Sequence, residues 1–199
     1  GAAVNGNITV SNTSGNNWTA SFTANANDTA GPVTYSITFS DTAGNAGTPV
    51  TSATDSSNVA VVIDTDLPTL LSSTPSDSSR AVKLDQNIIL KFSEVITAGS
   101  GKIKLFNVDD RLVEAFTVSS SIISGSTVTL NPSADFASRS AYYIQIPSTA
   151  FVDAAGNSYE GITNKTGLDF VTLDVNAPSL ISSVPSDNAA SVKLDQNIM

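Results

Sequence analysis

The side chains with the most chemistry to offer in this chain are carboxylates. It carries 18 Asp and Glu against 9 Lys and Arg, with no His and no Cys. That inventory excludes a Ser–His pair, a thiolate nucleophile, and the imidazole and thiolate ligands that zinc or copper prefers. No G-x-S-x-G elbow occurs either. A glycosidase would need two carboxylates roughly 5–9 Å apart over a cleft. Glutamate occurs only at Glu94, Glu114 and Glu160, none of them in a recognisable catalytic phrase, so no catalytic activity is expected. Hard oxygen donors remain. They suit a hard cation such as Ca²⁺, which gathers 6–8 oxygens from carboxylates, amides, backbone carbonyls and water.

Position narrows the candidates. The first cationic side chain is Arg80, so Asp28, Asp41, Asp55, Asp64 and Asp66 share a stretch with no Lys or Arg at all. Asp41 opens an Asp-Thr-Ala-Gly-Asn turn, while Asp64 and Asp66 follow an apolar run that reads as a strand. In a β-sandwich those two places fall at one pole, which makes Asp41, Asp64 and Asp66 the first calcium set. Asp153, Asp174 and the amide of Asn176 form a second set with one charge fewer. A competing reading applies to Asp41 and Asp153: each shapes its turn by accepting backbone N–H groups, with Gly44 and Gly156 supplying positive φ. Asp28 and Asp55 read as solvated loop residues. Asp109 and Asp110 read as a hairpin tip.

The elements that must position these groups are strands. Ser, Thr, Asn, Ala, Val and Asp dominate, and the usual surface formula of a helical protein is missing. Period-2 alternation puts Trp18/Ala20/Phe22, Val33/Tyr35/Ile37/Phe39 and Val59/Val61/Ile63 on one face of three half-buried strands. Further along, Ile88/Leu90/Phe92, Ile103/Leu105, Val128/Leu130, Tyr142/Ile144/Ile146 and Leu168/Phe170 do the same. Trp18 and Tyr142 are expected in the core, and Tyr143, on the opposite face, is expected to be exposed. Asn5-Gly6 is read as a hairpin turn, and the one helical turn is placed around Ala134-Asp135-Phe136. Several short strands at this spacing predict an all-β fold built of two-sheet sandwiches.

An internal repeat divides the chain. PTLLSSTPSDSSRAVKLDQN at residues 68–87 recurs as PSLISSVPSDNAASVKLDQN at residues 178–197, 110 positions on, with 13 of 20 residues identical. Each copy follows a strand and an acidic linker: Ile63-Asp64-Thr65-Asp66 and Leu173-Asp174-Val175-Asn176. The division predicted is residues 1–66 as the later part of one module, 67–177 as a complete module, and 178–199 as the opening strands of another.

These phrases resemble the bacterial immunoglobulin-like repeats of large adhesins, biofilm proteins and S-layer-associated surface proteins. The resemblance rests on Pro68 to Asp77, Leu90-Lys-Phe92-Ser-Glu94, Tyr142-x-Ile144-x-Ile146 and Asp153-x-Ala-Gly156-Asn157, with Trp18-Thr-Ala-x-Phe22 and Asp41-Thr-Ala-Gly44-Asn45 marking a second repeat type. It implies tandem immunoglobulin-like sandwiches arranged end to end on a cell surface, serving as spacers with Ca²⁺-stiffened junctions. The repeat type of residues 1–66 normally has further strands before this point, so residues 178–199 are expected to offer strand exchange, head to tail, to a neighbouring copy. Two other roles fit the same resemblance: a module that recognises a glycan or host protein through its loops, and an accessory module of a secreted carbohydrate-active enzyme. A net charge of −9 opposes binding to nucleic acid or an anionic membrane. No apolar run approaches the ~20 residues needed to span a bilayer.

Overall fold

The computed structural model describes residues 6–25, 27–51, 62–192 and 197. Val59, Val61, Asn5, Asp55 and Asp195 lie outside the described residues. Two short ladders come first. β1 (Thr9–Ser14) pairs with β2 (Asn17–Ser21) around a turn at Gly15, and β3 (Gly31–Pro32) pairs with β4 (Val62–Ile63). A hairpin turn is thus formed at Gly15-Asn16.

The sandwich follows. Its strands are β5 (Leu70–Thr74), β6 (Ser79–Val82), β7 (Ile88–Phe92), β8 (Thr97–Ala98), β9 (Lys102–Asn107), β10 (Leu112–Thr117), β11 (Ile123–Ser124), β12 (Thr127–Leu130), β13 (Ala141–Gln145), β14 (Phe151–Val152) and β15 (Asp169–Thr172). One sheet runs β10-β9-β13-β15-β6 and the other β11-β12-β7-β5, and β14 pairs with β8 in a separate two-stranded ladder. The opening segment is thus split: β5 joins the second sheet antiparallel to β7, while β6 crosses to the first and lies parallel to β15.

Alternation predicts this core residue by residue. Ile88, Leu90, Ile103, Leu105, Val128, Leu130, Ile144, Ile146, Leu168 and Phe170 are all essentially inaccessible to solvent. Burying each such side chain favours folding by about 1.5–3 kcal/mol, which is why the apolar face of every strand turns inward. Aromatic nests close the two ends. Phe92 meets Phe151 and Tyr159 edge-on, with centroids 5.1 Å apart in both pairs, and Phe136 packs with Tyr142 and Phe170. Tyr142 is buried as expected, and its hydroxyl accepts the Ala137 N–H at 2.9 Å.

Several expectations are corrected. Tyr143 is 6% exposed, because Phe106 stacks on its ring at 5.0 Å, Lys165 Nζ lies over the ring at 5.8 Å from its centroid and Asp110 accepts from its hydroxyl. Residues 134–136 form no helical turn: the Phe136 N–H donates to the Leu84 carbonyl across the fold instead of to a local acceptor. The 3₁₀ turn falls at Ser120–Ile122. Before the sandwich, β2 forms at Trp18 but buries nothing. Trp18 is 64% exposed, and Tyr35, Ile37 and Phe39 are also exposed, because no second sheet covers them among the described residues. Val33 to Phe39 makes isolated bridges, Ile37 with Val50 among them, instead of a continuous strand.

The sequence repeat carries its local geometry with it. Ser73 Oγ donates to the Pro75 carbonyl at 2.7 Å, and Ser183 Oγ to that of Pro185 at 2.8 Å. Ser78 and Asn188, again 110 apart, both hold positive φ, at 57° and 62°. Residues 178–192 nevertheless form no strand, and Leu180 and Ile181 are exposed.

Candidate metal centre

Three carboxylates from separate parts of the chain meet at the pole where the linker joins the sandwich. Asp64 directly follows β4, Glu94 lies two residues past β7, and Asp153 lies one residue past β14. One oxygen of each is within 4.8 Å of the others, the one such acidic group among the described residues. Backbone pairing brings them together. Leu70 opposite Phe92 sets the linker beside the end of β7, and the Thr69 N–H donates to Ser93 Oγ at 3.0 Å. Asn157 Nδ2 then reaches from the Asp153 loop to the Asp64 carbonyl at 3.1 Å.

Asp153 is held by its own turn. Asn157 donates both its backbone N–H and its side-chain amide to the two carboxylate oxygens, each at 2.8 Å, and Gly156 takes φ 95° to close the loop. Burial alone would push this carboxyl up, but the Asn157 side chain and the N–H groups of Asn157, Gly156 and Ala155 outweigh it, so Asp153 sits below the usual carboxylate range. Glu94 moves the other way: partial desolvation and the charges of Asp153, Asp64 and Asp66 push it up. The shifts oppose because Asp153 is hydrogen-bonded by its own turn, whereas Glu94 meets its acidic neighbours without such donors. The pole opens into a groove of about 920 Å³ lined by Asp64, Asp66, Glu94, Tyr159 and Glu160 among others, with no Lys or Arg in its wall.

The sequence-predicted residues are regrouped. Asp41 makes the same turn as Asp153, accepting the Ala43 N–H and both Asn45 donors, with Gly44 at φ 90°, but it is exposed and lies outside the acidic group. The Asn45 side chain and the loop N–H groups hold its carboxyl below the usual range. Turn-shaping is therefore seen at both aspartates. Asp66 lies beside the group and donates its N–H to Asp64 Oδ1 at 3.0 Å. Asp153 is not grouped with Asp174 and Asn176. Strand direction separates them, since β15 runs away from this pole and delivers Asp174 to the opposite one, beside Ser138 and Arg139. Sequence reasoning missed Glu94 as a ligand candidate. Its signal was the Phe92-Ser-Glu94 phrase itself, which places a carboxylate two residues past a buried strand end.

Two sheets sharing one core, with an opening segment split between them, define an immunoglobulin-like sandwich, and it carries a group of carboxylates at one end. Residues 64–172 match the family described as the bacterial Ig-like domain, and the chain belongs to that family. No curated protein matches the chain. Domains of this family are non-catalytic and typically occur in surface or extracellular bacterial proteins. No helix among the described residues is long and apolar enough to cross a membrane.

Proposed function

We propose that this protein is a spacer segment of a bacterial surface adhesin whose linker is pinned to the sandwich by Ca²⁺. The observation that carries the reading is the meeting of Asp64, Glu94 and Asp153 within 4.8 Å. The donor set fits a hard cation: carboxylates and a backbone carbonyl are present, and the chain has no Cys and no His. Asp64, Glu94 and Asp153 would hold the ion, with Asp66 beside them.

Asp64 belongs to the linker, whereas Glu94 and Asp153 belong to the sandwich that follows. Without a cation their charges repel, and the linker is free to lift from the pole. With one, the repulsion becomes coordination and the direction in which residues 6–51 leave the sandwich is fixed. Extracellular calcium, near millimolar, suffices for a site with a Kd of about 10⁻⁴–10⁻³ M.

The test is calorimetric titration of Ca²⁺ into chelator-stripped protein, with small-angle scattering recorded with and without chelator. Saturable binding and a stiffer particle in calcium are expected. No binding heat, together with superimposable scattering curves, would overturn the proposal.

A further inference from the structure

Where the chain leaves the sandwich, the linker is held by different means. Ser138 Oγ accepts the Val175 N–H at 3.0 Å and the Asn176 amide at 3.3 Å, and lies 3.4 Å from both the Leu173 carbonyl and Asp174 Oδ1. The Arg139 N–H donates to the Leu173 carbonyl at 3.1 Å, and its Nε stands 3.6 Å from Asp174 Oδ2. Asp174 Oδ1 also accepts the Asn176 N–H at 2.9 Å, just as Asp64 does for Asp66 one repeat earlier. The two linkers thus share one local turn, but among the described residues only the second meets a protein cation.

Arg139 holds φ 52°, a left-handed conformation that glycine or asparagine adopts more readily. A strained residue persists where its surroundings over-determine it. Here the backbone twist aims its N–H at Leu173 while its guanidinium faces Asp174. We infer that Ser138 and Arg139 form a built-in clasp that fixes the direction of residues 173–176 without any metal, so that the two poles respond differently to chelation. The Arg139 to Asp174 pair is solvent-exposed and adds little alone. The hydroxyl of Ser138, shared by four residues of the linker, carries most of the clasp.

The experiment is amide hydrogen exchange on the full chain, in calcium and in chelator, for the parent, Ser138→Ala and Arg139→Gly. Ser138→Ala should lower protection of the Val175 amide about tenfold, with the amides of Ile144 and Phe170 unchanged. Arg139→Gly relieves the backbone strain, so the melting temperature should hold or rise while the Leu173 to Asn176 segment loosens. Chelator should leave Val175 and Asn176 unaffected in the parent protein. Unchanged Val175 protection in Ser138→Ala, or loss of its protection on chelation, would overturn the clasp. Neither outcome depends on whether calcium binds at the other pole, since that is read at Asp66 and Thr69.

Discussion

Replacing Glu94 by Gln should change the stability of this protein in opposite directions with and without calcium. At 4.8 Å, two unit charges repel by about 0.9 kcal/mol in a water-like dielectric. Physiological salt roughly halves that for groups near the surface. Glu94 faces Asp64 and Asp153 at that range, so Glu94→Gln should stabilise the metal-free protein by about 1 kcal/mol, raising its melting temperature by about 4 °C. Saturating calcium reverses the order. Ten- to hundredfold excess over Kd stabilises the parent by about 1.4–2.7 kcal/mol, and most of that increment should vanish once a ligand oxygen is lost. The pH dependence follows the same charges. The Glu94 carboxyl is raised, so the folded metal-free state holds its proton more tightly than the unfolded chain, and stability falls as pH rises from the ordinary glutamate range through the raised value. Asp153 is lowered and contributes the opposite slope, its stabilisation being lost as pH falls through the depressed value. Thermal melts of both proteins from pH 2 to 8, in chelator and in calcium, measure every term. A Glu94→Gln protein less stable than the parent in chelator, or gaining as much from calcium, would refute the reasoning.

Gly156→Ala forces a side chain into φ 95°, at a cost of about 1–3 kcal/mol, and should weaken calcium binding as well by tilting Asp153; denaturant melts and calorimetry read the two effects separately. Tyr143→Phe removes a 2.9 Å hydrogen bond to Asp110 and should cost about 1 kcal/mol by urea denaturation. Trp18→Ser should leave the melting temperature within about 1 °C, and the parent's single tryptophan should be open to a soluble quencher in both calcium and chelator, as its exposure of 64% requires.

The sandwich core was legible because strand period and burial coincide. Ile88, Leu90 and Phe92 alternate in the sequence and alternate inward in the sheet. Tyr143 was misjudged because alternation reports which face a residue occupies, not what lies on that face, and here Phe106 and Lys165 lie on it. Trp18 shows the converse: its strand formed, but burial needs an opposing sheet, and local pattern does not encode one. At the site, the Asp153 turn and the acidic linker were visible as phrases, and so was Asp64. Their grouping was not, because it depends on strand direction. β15 carries Asp174 to the far pole while the pairing of Leu70 with Phe92 draws Glu94 to the near one, and both facts are long-range.

The parallel pairing of β6 with β15 has a mechanical consequence. Phe170 lies opposite Ser79 and Thr172 opposite Val82, so the first-sheet strand nearest the start of the sandwich and its last strand point the same way. A pull applied through the two linkers drags these strands past one another lengthwise, loading their hydrogen bonds together as a shear. An antiparallel hairpin pulled from its open end would yield one bond at a time. A module pulled in this way would break at a higher force than one closed by such a hairpin, and the bonds that bear the load lie on the polar backbone of two strands whose side chains, Val82 and Phe170, already anchor the core.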